Sequence, residues 1–467
     1  MATILGANTL SSGYDVANSC LFTHGDSSRM NKDLAAPTHA NKATVSIWFK
    51  RMDIGREQHF FGTRQDGNDR CSIGFDDSAE GELHIVQEDS GSYSLRFKTT
   101  RRFRDPAAWY HLVLAMDTTQ GTASNRVKIY INGTQETAFE TETYPDQNDT
   151  LRYCIDGEEL VVGAKFGGGG SYGNFFSGYL AEVVLIDGQQ LLPTSFGEFD
   201  SDTPNVWKPI DVSGLTFGNN GCYLDFEDSS NLGNDANGGT DLSETNLAAT
   251  DQMTDTCTNN FATLNPLFPE GNITISDGNL KVTADGSANW SSIISTIGLS
   301  SGKWYWEWTA TSTSNAFAGL ASEALVNSTL ISDSTPYDQN GLILYFTDGR
   351  KTVDGSNTES HFTAWSSGTM SCALDLDSGT RTAKFYHNGS QTGDTINLTA
   401  NMPAGADVFP VFMVNAGSNP SVINPNFGSP FYANSSDAAD GNGYGAFEYA
   451  PPDGYYAVNT KNLAEYG

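Results

Sequence analysis

Thr44-Val45-Ser46-Ile47-Trp48-Phe49-Lys50 alternates residue by residue, with Val45, Ile47 and Phe49 on one face. A period of two marks a strand, because successive Cβ atoms point to opposite sides of a pleated sheet. Working outward, Trp109-Tyr110-His111-Leu112-Val113-Leu114-Ala115-Met116 reads as a second strand. Val127-Lys128-Ile129-Tyr130-Ile131-Asn132-Gly133 reads as a third, ending in an Asn-Gly hairpin turn. Gly178-Tyr179-Leu180-Ala181-Glu182-Val183-Val184-Leu185-Ile186-Asp187-Gly188 closes the set. No helical period of useful length lies between these runs, and 48 glycines punctuate the chain. The fold class is all-β, built from antiparallel sandwiches.

At 467 residues the chain exceeds what one hydrophobic core normally serves, so two or more domains are expected. A new pattern begins after Asn259-Asn260-Phe261-Ala262-Thr263-Leu264-Asn265-Pro266-Leu267-Phe268-Pro269, where polar residues and paired prolines mark a break. Ser301-Gly302-Lys303-Trp304-Tyr305-Trp306-Glu307-Trp308, Leu342-Ile343-Leu344-Tyr345-Phe346, Ala383-Lys384-Phe385-Tyr386-His387 and Val408-Phe409-Pro410-Val411-Phe412 then supply strands. The expected organisation is a first sandwich with an extension over 1–250, a polar linker over 251–274, a second sandwich over 275–433 and a docking segment over 434–467. That last segment, with Phe447, Pro451-Pro452 and Tyr455-Tyr456, is too apolar for a free tail. It is expected to pack back on a sandwich or to dock another protein.

Acidic side chains outnumber basic ones 56 to 25, a formal net charge of -31. Such a field repels phosphate backbones and anionic lipid, so neither nucleic acid nor membrane insertion is expected. No basic-then-apolar leader is visible at Met1-Ala2-Thr3-Ile4-Leu5, and no run approaches bilayer length. Cys20, Cys71, Cys154, Cys222, Cys257 and Cys372 show no metal spacing and are too few for a disulfide scaffold, so buried thiols are expected.

Five segments of the first half appear in order: Phe22 with its Gly-Asp-Ser turn, Val45–Phe49, Trp109–Val113, Val127–Gly133 and Gly178–Val183. Together they resemble the concanavalin A-like, laminin-G-type jelly roll over roughly residues 15–200. The second-half strands, with Asp348-Gly349, Leu374-Asp375-Leu376-Asp377, Asn388-Gly389 and Asn426-Phe427-Gly428, resemble the SPRY (B30.2-type) sandwich over roughly 275–430. Gly368-Thr369 departs from the Gly-Asp usual there. Nearly the whole chain, including Ser195–Asp202, Asp211–Gly218, Tyr223–Phe226 and Tyr455–Gly467, is similar to a group of bacteriophage structural proteins. That resemblance implies a virion surface protein, on tail fibre, spike or capsid, assembled in the host cytoplasm with other virion proteins and as a homo-oligomer. Its alternatives are a tail adhesin that binds host-surface glycan and a polysaccharide depolymerase.

Paired carboxylates are the mark of glycoside hydrolysis. Glu198, Asp200 and Asp202 share a strand face but lie between Pro193 and Pro204 without apolar flanks, which reads as a loop or solvated edge. No nucleophile elbow, HExxH or phosphate loop occurs, so no catalysis is expected. Asp225, Asp228, Asn231, Asn234 and Asp235 sit in a turn-rich stretch, where they either hold Ca²⁺ through hard oxygens or cap their own turns. Beyond that calcium no cofactor is expected. The glycine-rich segment 166–176 carries Tyr172, Asn174, Phe175 and Phe176, which either stack on a sugar ring or pack. The SPRY resemblance implies that loops at one end of the second sandwich hold partners, here through Tyr337, Asp338, His361 and Trp365, with Trp365 alternatively structural.

Overall fold

The computed structural model describes residues 13–76, 81–166, 171–269, 271–285, 290–310, 316–328, 339–358, 361–365, 367–398, 402–415 and 421–467. They fall into two compact units, residues 13–258 and 259–467.

In the first unit two eight-stranded antiparallel sheets face each other. Lys42–Arg51 is central to one, between Trp109–Asp117 and Gly178–Asp187. Val45, Ile47 and Phe49 point inward, as their alternation requires, into a core shared with Phe60, Phe75, Ile85, Phe97 and Leu112. The opposing sheet runs through Ser92–Arg102, Glu82–Asp89, Arg70–Phe75, Gln58–Arg64, Glu159–Val162 and Arg29–Asp33.

The outer face of the central strand is buried too. Thr44, Ser46, Trp48 and Lys50 are all sealed from solvent. His111 lies stacked on Trp48, with ring centroids 4.6 Å apart, and flat toward Trp207 at 6.1 Å. The Trp207 indole donates to His111 Nδ1 at 2.8 Å, so the ring proton sits on Nε2, which is 2.8 Å from Ser46 Oγ. Beside it, Lys50 Nζ meets Asp255 Oδ2 at 2.7 Å, and the Trp109 indole N–H donates to Asp255 Oδ1 at 3.0 Å. Glu182 adopts φ 49° at a bulge between Ala181 and Val184. Its buried carboxyl, pushed up to about 8 by desolvation, takes the Tyr223 hydroxyl.

The second unit also pairs two antiparallel sheets. Lys303–Ala310 is central to its eight-stranded sheet, and Trp304, Trp306 and Trp308 are fully buried along one face. Trp308 meets Tyr345, Phe385 and Phe412 edge-on. Tyr305 and Glu307 face the other way, beneath residues 434–467. Tyr456–Ala457 adds a parallel pairing to this strand, and Phe447 packs against Tyr305 at 5.1 Å. Buried Glu307 accepts the backbone N–H groups of Glu448 at 2.7 Å and Tyr449 at 2.9 Å, while burial pushes its carboxyl up to about 7. The segment expected to dock is therefore a third layer of this unit.

Residues 251–274 do not form a linker. Gln252–Met253 pairs with Ser19–Phe22 in the first unit, whereas Leu264 is buried and bridges to Ser295 in the second. Phe261, Ala262 and Leu264 supply the apolar anchors that the flanking prolines obscure. Cys20, Cys71, Cys222, Cys257 and Cys372 are buried free thiols. Among the described residues no helix is long and apolar enough to cross a membrane.

Replacing Glu307 by Ala leaves two N–H groups of the third layer without their acceptor. The second unit is expected to lose on the order of 2–4 kcal/mol. Calorimetry together with limited proteolysis checks this, with residues 434–467 released first.

Candidate outer-sheet site of the first unit

Alternation in Arg70–Phe75 sends Cys71, Ile73 and Phe75 into the core and Arg70, Ser72 and Gly74 outward. Neighbouring strands do the same, so polar residues line up across the outer face. His59, Gly74, His84 and Lys98 form one row, and Gly62, Ser72, Val86 and Arg96 form the next. Arg64, Arg70 and Glu88 form a third. Glycine is required at position 74, because a Cβ there would lie 2.3 Å from the Gln58 carbonyl oxygen and 2.5 Å from His59 Nδ1.

Several charges on this face are paired. Glu57 Oε1 lies 3.1 Å from His59 Nε2 and 2.9 Å from Lys165 Nζ. Those contacts hold the Glu57 carboxyl down at about 2, so it is ionised. Burial pushes His59 and His84 down to about 4, so both are neutral at pH 7. The His59 proton then faces Glu57 and leaves Nδ1 as an acceptor. Arg70 bonds both Glu88 oxygens, and Lys98 and Arg102 contact Glu82 and Glu140.

The hairpin of Lys165–Phe166 and Tyr172–Gly173 lies against the same face. Arg64 covers the Phe166 ring at 3.4 Å, Phe166 and Tyr172 rings are 4.3 Å apart, and Arg29 covers Tyr172 at 3.8 Å. Each cation–aromatic contact contributes about 0.5–2 kcal/mol, which clamps the hairpin between two guanidiniums. His59 Nδ1, Ser72 Oγ, Arg29 Nε, Arg64 Nη1 and Arg70 Nε remain shielded with no hydrogen-bond partner among the described residues. A buried polar atom without a partner costs about 1–3 kcal/mol, so five on one face call for a reason. At the rim, Arg96 sits 4.6 Å from the exposed Tyr93 ring and within 3.3 Å of His84 Nε2.

The residues predicted as binding groups fare unequally. Tyr172 and Phe175 are half-buried on this face, with the Tyr172 hydroxyl donating to Glu159 at 2.6 Å. The Asn174 carbonyl accepts the His59 N–H at 2.9 Å, and Asn174 adopts φ 48°. Phe176 is core, 5.5 Å from Phe60, and presents nothing to a ligand. In the second unit His361 is half-buried, its Nε2 accepting from Asp394 N–H at 3.2 Å. Trp365 is 2% exposed and packs edge-on to Tyr345 at 6.1 Å, which makes it structural. Tyr337 and Asp338 lie outside the described residues.

The expected calcium ligands are not gathered. Asp225 accepts from Glu227 N–H, and Asp228 from Ser230 N–H and Oγ. Asn231 donates to Asp241, while Asp235 accepts from the Tyr223 and Asn237 N–H groups and lies 3.8 Å from Lys32. Among the described residues no three His, Cys, Asp or Glu side chains form a metal-holding group. The Asp225, Asp228 and Asp235 carboxylates accept local turn donors instead. Glu198 and Asp200 are likewise clamped by Lys208, at 3.3 Å and 3.2 Å. The outer-face histidines and arginines were missed, although the alternation of Arg70–Phe75 and Glu82–Asp89 assigns them outward.

Residues 24–189 match the family model described as the concanavalin A-like lectin/glucanases superfamily. No curated protein matches the chain. Among solved structures, stonustoxin is similar at 21% identity over 35% of this chain and 27% of that one, with a TM-score of 0.28. The SPRY domain of human HERC1 is similar at 17% identity over 35% of this chain and 96% of that domain, with a TM-score of 0.28. A heptameric SAP-like pentraxin from Limulus polyphemus is similar at 16% identity, over 38% of this chain and 80% of its own, with a TM-score of 0.29.

Two measurements bear on this site. The imidazoles of His59 and His84 titrate lower when folded than their usual value near 6.5. Their contribution to stability is therefore present above about pH 6.5 and lost as pH falls toward about 4. The stability difference between wild type and His59→Gln, from urea unfolding at about pH 7, 5.5 and 4.5, is expected to shrink with acidification. Calcium titration is expected to leave the first unit's unfolding temperature unchanged, and a rise of several degrees would restore a cation to residues 225–235.

Proposed function

We propose that the first unit is a non-catalytic binding module whose outer sheet face takes a saccharide. The observation that carries this reading is the rim of that face, where Arg96 lies 4.6 Å from the exposed Tyr93 ring and 3.3 Å from His84 Nε2. The rim offers what sugar hydroxyls need: a guanidinium donor, the neutral His84 imidazole and an aromatic ring to stack on. The match of residues 24–189 to a lectin and glucanase superfamily supports a binding role. Against catalysis, the carboxylates of this face are held by basic neighbours, and Glu57 is fully ionised. Hydrolysis of a glycoside needs one carboxyl kept protonated and a second left free.

We place the whole chain at a virion surface, as an oligomeric fibre, spike or decoration protein attached to other virion proteins. Support comes from the ordered segments that resemble phage structural proteins. A role in host attachment joins the two readings.

A glycan array with the full chain tests the module. Retained glycans are expected to lose about tenfold in affinity, near 1.4 kcal/mol, in Arg96→Ala and Tyr93→Ala. Circular dichroism verifies that both variants fold. Failure to retain any glycan overturns the reading, and shortening of a bound polymer shows a depolymerase instead.

A further inference from the structure

Outside that face, the most tightly enclosed pair of reactive groups is Lys50 and Asp255, whose side chains are 0% and 1% exposed. Lys50 stands on the central strand opposite Trp109 on one neighbour and Tyr179 on the other. Asp255 lies just past Gln252–Met253, in the stretch that leads out of the first unit at Thr258. Its own carbonyl accepts the Ser19 hydroxyl at 2.6 Å, which fixes the backbone. The Tyr179 ring lies 5.5 Å from the ammonium, and the Trp109 indole closes the other side.

We propose that Lys50 and Asp255 join in an intramolecular amide bond, Nζ to Cγ, which locks this exit segment onto the central strand. With Nζ 2.7 Å from Oδ2, the nitrogen stands within about 3.5 Å of Cγ, the separation of a near-attack pair. Two opposite charges without water are costly, and moving one proton from nitrogen to Oδ2 neutralises both. The free amine then attacks Cγ. Negative charge gathers on Oδ1, where the Trp109 N–H already donates at 3.0 Å, as an oxyanion donor would. The Nζ–Cγ bond forms, the Cγ–Oδ2 bond breaks, and Oδ2 leaves as water carrying two of the three ammonium protons. The third stays on the amide nitrogen, so no co-reactant is needed. Asp105 is near enough to act electrostatically on Lys50.

Amide formation from separate acid and amine is unfavourable in water. Here an effective concentration on the order of 10⁵–10⁸ M and the exclusion of water reverse that balance. The product keeps the Trp109 hydrogen bond and replaces two buried charges by one neutral amide.

Mass spectrometry of the full chain tests this without any variant. The folded protein is expected to be one water lighter than its sequence, and a protease that cleaves after lysine is expected to spare Lys50. The digest should contain one branched peptide that carries both Lys50 and Asp255. Lys50→Arg, which keeps the charge but not the nucleophile, is expected to restore the full mass. A wild-type chain of full mass overturns the proposal. So does a water loss that maps to one of the Asp-Gly pairs, or one that persists in Lys50→Arg.

Discussion

A strand at the centre of a sandwich has two faces, and this chain seals both. In each unit the inner face meets the opposing sheet, and the outer face is covered by chain that follows the sandwich. That constraint sets the chemistry of the molecule. Lys42–Arg51 and Trp109–Asp117 turn Ser46, Lys50 and His111 away from the core, and all three are nevertheless buried. His111 and Lys50 are then obliged to find partners in the covering layer, Trp207 and Asp255, while Ser46 pairs with His111 itself. Glu307 in the second unit obeys the same rule with backbone N–H groups.

Much of this was legible in the sequence. Alternation in Val45–Phe49 placed the core face correctly, and the run of tryptophans in Lys303–Ala310 marked a buried strand. What alternation does not say is whether the other face is wet. Ser46, His111 and Lys50 read as solvent-facing polar positions until the covering layer is seen, because their partners lie up to 205 residues away. Phe176 and Trp365 each allow two readings in the sequence for the converse reason. Each adjoins a glycine- or serine-rich stretch that looks like an open loop, yet each side chain is buried. The aspartates at 225–235 suit turn chemistry and metal chemistry alike in the sequence, since both use short-chain oxygens at close spacing.

The outer-sheet face is instructive because its residues are unremarkable one at a time. Arginine beside glutamate, histidine beside glycine and serine beside valine carry no motif. Only the register across Gln58–Arg64, Arg70–Phe75, Glu82–Asp89 and Ser92–Arg102 assembles them. Its polarity is balanced by pairing, which suits a surface that makes directional hydrogen bonds in a chain whose overall charge is -31. A glycine at position 74 leaves the room that His59 Nδ1 occupies, so shape as well as charge is set by residue choice.

The layer that covers Tyr305 and Glu307 emerges from the ribosome after every strand of the sheet it completes. Until it arrives, the nascent second unit displays Tyr305, Ala373 and a buried-type carboxyl to solvent. The vulnerable interval therefore falls when most of the unit is already paired. Translation speed across codons 434–467 governs how long that surface stays open to misassociation with other nascent chains.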